Sequence, residues 1–130
     1  VATYDIDHFK AINDSHFHAM GDVATCEIAW VVSAALRETD VDPRHGGEEF
    51  ALILPSTTLD EAARVMEKVR ALVAGQDWHA NAPELSITIS AGVAAADRLR
   101  DADDDGDRLF ARADAKLDEA KRTGRNRVCF

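Results

Sequence analysis

Apolar and polar residues alternate from Ala2 to Asp7. Tyr4 and Ile6 fall on one face of a strand over residues 1 to 7, and Asp5 and Asp7 fall on the other. A turn rich in Asn, Asp, Ser, His and Gly follows, ending at "MGD". The period then lengthens: Ile28, Val32 and Ala35, widened by Val31 and Leu36, predict a helix from Val23 to about Arg37, and Pro43 prevents its continuation. Gly46 and Gly47 in "RHGGEEF" fit the centre of a tight hairpin, turning a strand that ends near His45 into one that starts at Glu48. The continuous apolar run in "EFALIL", 49 to 54, predicts a strand buried on both sides.

The second half reads the same way. Thr58 and Glu61 form a capping box, and Leu59, Ala62, Ala63, Met66, Val69 and Val73 recur at helical spacing behind it. "GQDWHANAPE" is a connection. "LSITISAGVA", 85 to 94, reads as an inner strand with Leu85, Ile87, Ile89, Ala91 and Val93 in phase. Leu109, Phe110, Ala113, Leu117 and Ala120 mark a last helix closed by Gly124, and "RVCF" is a final strand. The order β-α-β-β-α-β-α-β predicts an α/β (α+β) two-layer sandwich, with helices on one face of a sheet and the other face open near the first strand end and the hairpin.

Composition narrows what such a sheet can serve. With 130 residues, 46% of them hydrophobic, the chain supports one modest core and hence one domain. Lys and Arg number 15 against 24 Asp and Glu, a formal net charge of -9, which argues against a general nucleic-acid binder with a broad basic face. Six aspartates crowd into residues 97 to 107, whereas "KRTGRNR", 121 to 127, is a compact basic cluster suited to a small polyanion. Cys26 and Cys129 fit no metal or redox spacing and read as buried or partly buried thiols in a reducing compartment. No run is long enough to span a membrane, and no charged-then-apolar leader is present.

The acidic residues carry the chemistry. If the first strand and the hairpin strand are neighbours, Asp5, Glu48 and Glu49 meet at one sheet end, an arrangement that favours Mg²⁺ or Mn²⁺. Lys10, Lys121 and Arg125 would supply the positive charge that a triphosphate needs, and Asn13 and Asp22 carry groups able to pair with a guanine edge. Each also has a plainer reading: Asn13 as a turn former, Asp22 as a helix cap, Lys10 as a solvated charge, Arg125 as a partner of the acidic loop, and the hairpin as a polar tip. His16 and His18 lack a third soft ligand, so zinc is not assigned.

The ensemble separates these readings. "DIDHFKAIND", then His18, Gly21 and Asp22, "RETD", "RHGGEEF", "LP" at 54 to 55, "ITISAGVA", "RADAKLDEAK" and "GRNRV" follow one another as in the diguanylate cyclase family, the GGDEF or GGEEF domains. The chain resembles that family over nearly its whole length. The resemblance implies a mostly antiparallel sheet of the nucleotide-cyclase or polymerase-palm type, and a single domain over 1–130 without the family's usual N-terminal helical segment. It also implies condensation of two GTP into cyclic di-(3',5')-GMP with release of two pyrophosphates, in a homodimer that closes the active site between two domains.

By the same resemblance, Asp5 and Glu48 with the carbonyl of Ile6 hold Mg²⁺ or Mn²⁺. Glu49 is a further ligand or aids deprotonation of the attacking 3'-hydroxyl. Asn13 and Asp22 read guanine. Lys10, Lys121 and Arg125 hold the phosphates, and the Gly46-Gly47 turn admits the nucleotide close to the backbone. Arg37 and Asp40 match an inhibitory site for the product, cyclic di-GMP. The chain departs from the family pattern at Phe17, Thr25 and Asp118, where Gly, Leu and Tyr are common. An N-terminal sensory or regulatory domain in the parent protein, a bacterial cytoplasmic location, free or as part of a membrane-anchored protein, and no DNA or RNA partner complete the expectation. The alternative is a catalytically silent module that binds GTP or cyclic di-GMP as a signalling receptor.

Overall fold

The first strand in sequence, β1 (Ala2–Ile6), lies inside the sheet rather than at its edge. In the computed structural model, which describes residues 1–16, 18–42, 49–78, 85–96 and 106–130, it pairs antiparallel with β2 (Glu49–Leu52) on one side and with β3 (Ile89–Val93) on the other. β4 (Val128–Cys129) joins β3 in parallel, giving the order β2-β1-β3-β4. All five residues of β1 are buried, as a strand with neighbours on both edges and layers on both faces requires. The mixed α/β class and the mostly antiparallel sheet agree with the sequence expectation.

Tyr4 and Ile6 join Phe50, Leu52, Ile89 and Val93 in a core closed by α2 (His18–Ala35), through Ile28 and Val32, and α3 (Leu59–Ala74), through Met66 and Val69. Tyr4 and Phe50 stack with centroids 4.9 Å apart. Complete burial of Ile28, Leu52, Met66 and Ile89 contributes about 1.5–3 kcal/mol each in transfer free energy. The predicted capping box starts α3: the Glu61 N–H donates to Thr58 Oγ1 at 3.3 Å, and the Thr58 N–H donates to Glu61 Oε2 at 2.9 Å. Those Thr58 bonds, backbone first, hold the Glu61 carboxyl below its ordinary pKa, with Arg37 and Arg64 adding to the effect.

The structure corrects several expectations. Helices cover both sheet faces, because α4 (Gly106–Arg122) packs on the Thr3, Asp5 and Gly92 side, so the face expected to stay open is partly covered. The predicted turn after the first strand contains a helix, α1 (Phe9–His16): burial of Ile12 and partial burial of Phe9 outweigh the turn preference of its Asn, Asp and Ser. His8, at φ 57, makes the actual turn. α2 begins at His18 rather than Val23. The strand predicted before the hairpin is, among the described residues, only a bridge from Val41 to Ile53. β3 starts at Ile89, although Leu85 and Ile87 before it are buried. Cys26 is exposed, since α2 turns Ala24, Ile28 and Val31 inward instead; Cys129 is partly buried, and both thiols are free.

Candidate functional site at the Asp5 end of the sheet

The β1–β2 register sets Asp5 directly across from Glu49. Paired residues in an antiparallel ladder share a face, so two carboxylates neighbour one another where the ladder ends. Lys121, in the last turn of α4, reaches over this face and donates from Nζ to Asp5 Oδ2 at 2.6 Å. Burial alone would lower the Lys121 pKa. The hydrogen bond and charge of Asp5, with the charges of Asp118 and Glu49, outweigh it and raise the ammonium above its ordinary value. Lys121 therefore stays protonated through the neutral range.

One oxygen of Asp5 is thus engaged. The other, Oδ1, is buried and accepts no hydrogen bond from a described residue. An ionised oxygen so placed, with Glu49 opposite, suits a hard cation. Among the described residues no three metal-ligating side chains gather, and the third predicted acid, Glu48, lies outside them with Gly46 and Gly47. The Ile6 carbonyl belongs to the same strand end, where Ile6 pairs with Ile89. The close approach that brings Lys121 here depends on Gly92: a Cβ built there would lie 2.1 Å from Ala113 O and 2.2 Å from Leu117 N. Beside the acids, a groove of about 530 Å³ opens between β1–β2 and α4, with Thr3, Phe50, Phe110, Leu117 and Asp118 in its lining.

The helical pair α1–α2 carries the predicted base readers. Asn13 Oδ1 is buried without a described hydrogen-bond partner, and it lies against Gly21, whose added Cβ would come within 2.0 Å of it. Gly21 is a residue that sequence reasoning placed in a motif without giving it a role; here it makes room for the Asn13 side chain. Asp22, the next residue, is exposed, as are Lys10 on α1 and Arg125 after α4. Asp22 stands inside α2 rather than at its cap. Thr25, at a position where an apolar residue was expected, satisfies its hydroxyl by donating to Gly21 O at 2.8 Å. Phe17 lies outside the described residues.

Arg37 and Asp40 form a turn of their own: the Arg37 N–H donates to Asp40 Oδ2 at 2.8 Å and the Asp40 N–H to Arg37 O at 3.0 Å. Val41 follows and pairs with Ile53, at the end of the β2 segment opposite Glu49. Ile53 lies four residue steps of extended chain beyond Glu49, about 13 Å. The turn is therefore remote from Asp5, as expected from its place in the sequence.

This geometry meets the comparisons with known proteins consistently. The family model described as "Diguanylate cyclase, GGDEF domain" matches residues 1–127. Diguanylate cyclase DgcP of Pseudomonas aeruginosa is 41% identical over 128 residues, covering 98% of this chain and 18% of the relative. The active GGEEF domain of a diguanylate cyclase from Vibrio cholerae superposes with a TM-score of 0.88 at 33% identity, covering 98% of this chain and 79% of that one. The GGDEF domain of DgcB from Caulobacter crescentus, solved in complex with c-di-GMP, gives 0.86 at 34% identity, with 98% and 74% covered. The chain spans about a fifth to a third of the length of the curated relatives it matches. No described helix is long and apolar enough to cross a membrane. With the model matched over nearly every residue and these domains reproducing its fold, the chain belongs to the diguanylate cyclase GGDEF domain family.

Proposed function

We propose that this chain is the catalytic domain of a diguanylate cyclase, joining two GTP into cyclic di-GMP across a homodimer of such domains within a larger bacterial protein. The observation that carries the reading is the Asp5–Glu49 pair, with one Asp5 oxygen held by Lys121 and the other buried without a partner among the described residues. Asp5, Glu48, Glu49 and the Ile6 carbonyl would hold Mg²⁺ or Mn²⁺, which when bound lowers the pKa of the attacking 3'-hydroxyl and neutralises charge on the α-phosphate. Lys10, Lys121 and Arg125 hold phosphate oxygens. The Gly46-Gly47 turn admits the nucleotide. Asn13, through an Oδ1 without a described partner, and Asp22 pair with the guanine edge, for which an acceptor beside N1 and N2 favours guanine over adenine.

The direct test is incubation of the full-length protein with GTP and Mg²⁺, followed by chromatography and mass analysis. Cyclic di-GMP and pyrophosphate are the expected products. Binding of GTP or cyclic di-GMP without turnover would instead identify a receptor. Base readout has its own test at Gly21, because an alanine there must push the Asn13 side chain aside. In calorimetry, Gly21→Ala is expected to reduce the preference for GTP over ATP by about tenfold, the scale of one lost hydrogen bond to a buried group. An unchanged ratio would remove Asn13 from base recognition.

Product control is assigned to the Arg37–Asp40 turn. Arg37 is exposed and offers a two-donor fork to phosphate or to guanine O6 and N7, while Asp40 accepts from guanine N1 and N2. The turn's distance from Asp5 allows GTP and product to bind together, so inhibition is expected to be noncompetitive. Arg37→Ala should raise the product concentration needed for half inhibition by about tenfold and leave initial rates nearly unchanged. Competitive inhibition of undiminished strength in that variant would place the product at the active site.

A further inference from the structure

Asp7 is absent from every role given above, yet it is the most heavily bonded acid among the described residues around the site. It is 6% exposed, and three donors converge on it: Ser90 Oγ on Oδ1 at 2.7 Å, and Thr88 Oγ1 at 2.7 Å and the Asn126 N–H at 3.0 Å on Oδ2. Ser90 lies on β3 and Thr88 just before it. The third comes from 119 residues away, in the turn that leaves α4.

That turn is conformationally unusual. Arg125 has φ 61 and Asn126 φ 46, two successive non-glycine residues in the left-handed region, following Gly124 at φ 126. Each such residue costs about 1 kcal/mol or more relative to helical or extended backbone, so the pair persists only where surrounding bonds fix it. Asn126 is fixed twice. Its N–H goes to Asp7, and its Oδ1 accepts from Arg70 Nη1 at 2.7 Å, while Arg70 is itself locked by a bidentate bond to Glu67. The Arg125 N–H donates to Ala120 O at 2.9 Å, and the Arg127 Nε donates to Arg125 O at 3.1 Å. Between Asp7 and Arg70 the backbone that carries Arg125 is held from the end of β1 and from α3.

We propose that Asp7 is a positioning residue: by anchoring Asn126, it sets the backbone from which Arg125 engages a nucleotide phosphate. The inference rests on the functional reading above, which gives Arg125 its ligand. Asp7 stands two residues after Asp5, so one short strand end fixes both the acid pair and the basic turn. Thr88 and Ser90 keep the carboxylate aimed at Asn126. An asparagine at position 7 matches the shape but has one acceptor oxygen where two are used, and its amide presents donors to donors.

The test is a double-mutant cycle on GTP affinity, measured by calorimetry in Ca²⁺ on the full-length protein, with thermal melting as the fold control. Asp7→Asn is expected to weaken GTP binding about tenfold in the parent background and less than about twofold in the Arg125→Ala background, because the anchored group is then already gone. Asn126→Gly, which accepts the left-handed turn without strain but loses the link to Arg70, should fall in between while melting within a few degrees of the parent. Equal losses from Asp7→Asn in both backgrounds, or no loss in the parent, would overturn the proposal, since a merely structural Asp7 weakens binding irrespective of Arg125. A parent that binds no GTP overturns the functional reading and this inference with it. A parent that binds GTP, with variants that bind it equally well, overturns this inference alone.

Discussion

Replacing Asp5 with asparagine is expected to reduce cyclic di-GMP formation at least about a hundredfold while leaving the fold in place. The substitution keeps the shape of the side chain and removes its charge. With that charge goes the ionised Oδ1, buried beside Glu49 without a described partner, which is the oxygen best placed for a cation. Stability should suffer far less than activity. Removing one member of a fully buried ion pair costs about 3–5 kcal/mol, but the Lys121 side chain keeps 30% of its surface in solvent and retains the carboxylates of Asp118 and Glu49 nearby. A loss of about 1 kcal/mol is the more reasonable expectation. Activity within a few-fold of the parent, with unchanged circular dichroism and melting, would sink the assignment of Asp5 as a metal ligand.

Gly92→Ala is expected to be the most damaging methyl group added at any described glycine. The added Cβ would meet backbone atoms of α4, Ala113 O at 2.1 Å and Leu117 N at 2.2 Å, and backbone cannot rotate away as a side-chain tip can. Either α4 lifts from β3 or the strand bends. Overpacking of this kind costs about 1–3 kcal/mol where side chains can adjust, and the upper end or beyond applies where they cannot. Lifting α4 also withdraws Lys121 from Asp5, so activity should fall with stability. Urea unfolding would measure the first and product formation the second; a midpoint unchanged from the parent would show that the helix does not sit against Gly92 as described.

Much of this was legible in the residues themselves, and the failures have physical causes. The capping box at Thr58 and the periodic stripe behind it predict α3 to within a residue, because local hydrogen bonds and burial point the same way there. α1 was not legible: Asn13, Asp14 and Ser15 favour turns locally, and only the burial of Ile12 against the rest of the fold makes the segment helical. The acid pair was readable as chemistry but not as geometry. Its meaning depended on β1 and β2 being neighbours, a pairing that no local pattern specifies and that the register supplies. Gly21 and Gly92 were invisible for the opposite reason. A glycine whose role is to leave space looks like any other until its neighbours are known, although each sits where a helix or strand former would ordinarily be preferred.

The position of β1 has a consequence for how the domain comes into being. Its partner at Leu52 lies far along the chain from Ala2, its other partner at Val93 lies farther still, and the Lys121 that caps Asp5 comes 116 residues later. Contacts so distant in sequence close late and slowly, and nothing local rewards the chain for making them early. On the ribosome the central strand can pair on one edge once β2 has emerged, must wait for β3 on the other, and gains Lys121 only when α4 is out. The acid pair with its Lys121 cap is therefore complete only when the last helix has docked. Occupancy of the site should accordingly slow hydrogen exchange across all four strands together, rather than protecting the strand ends alone.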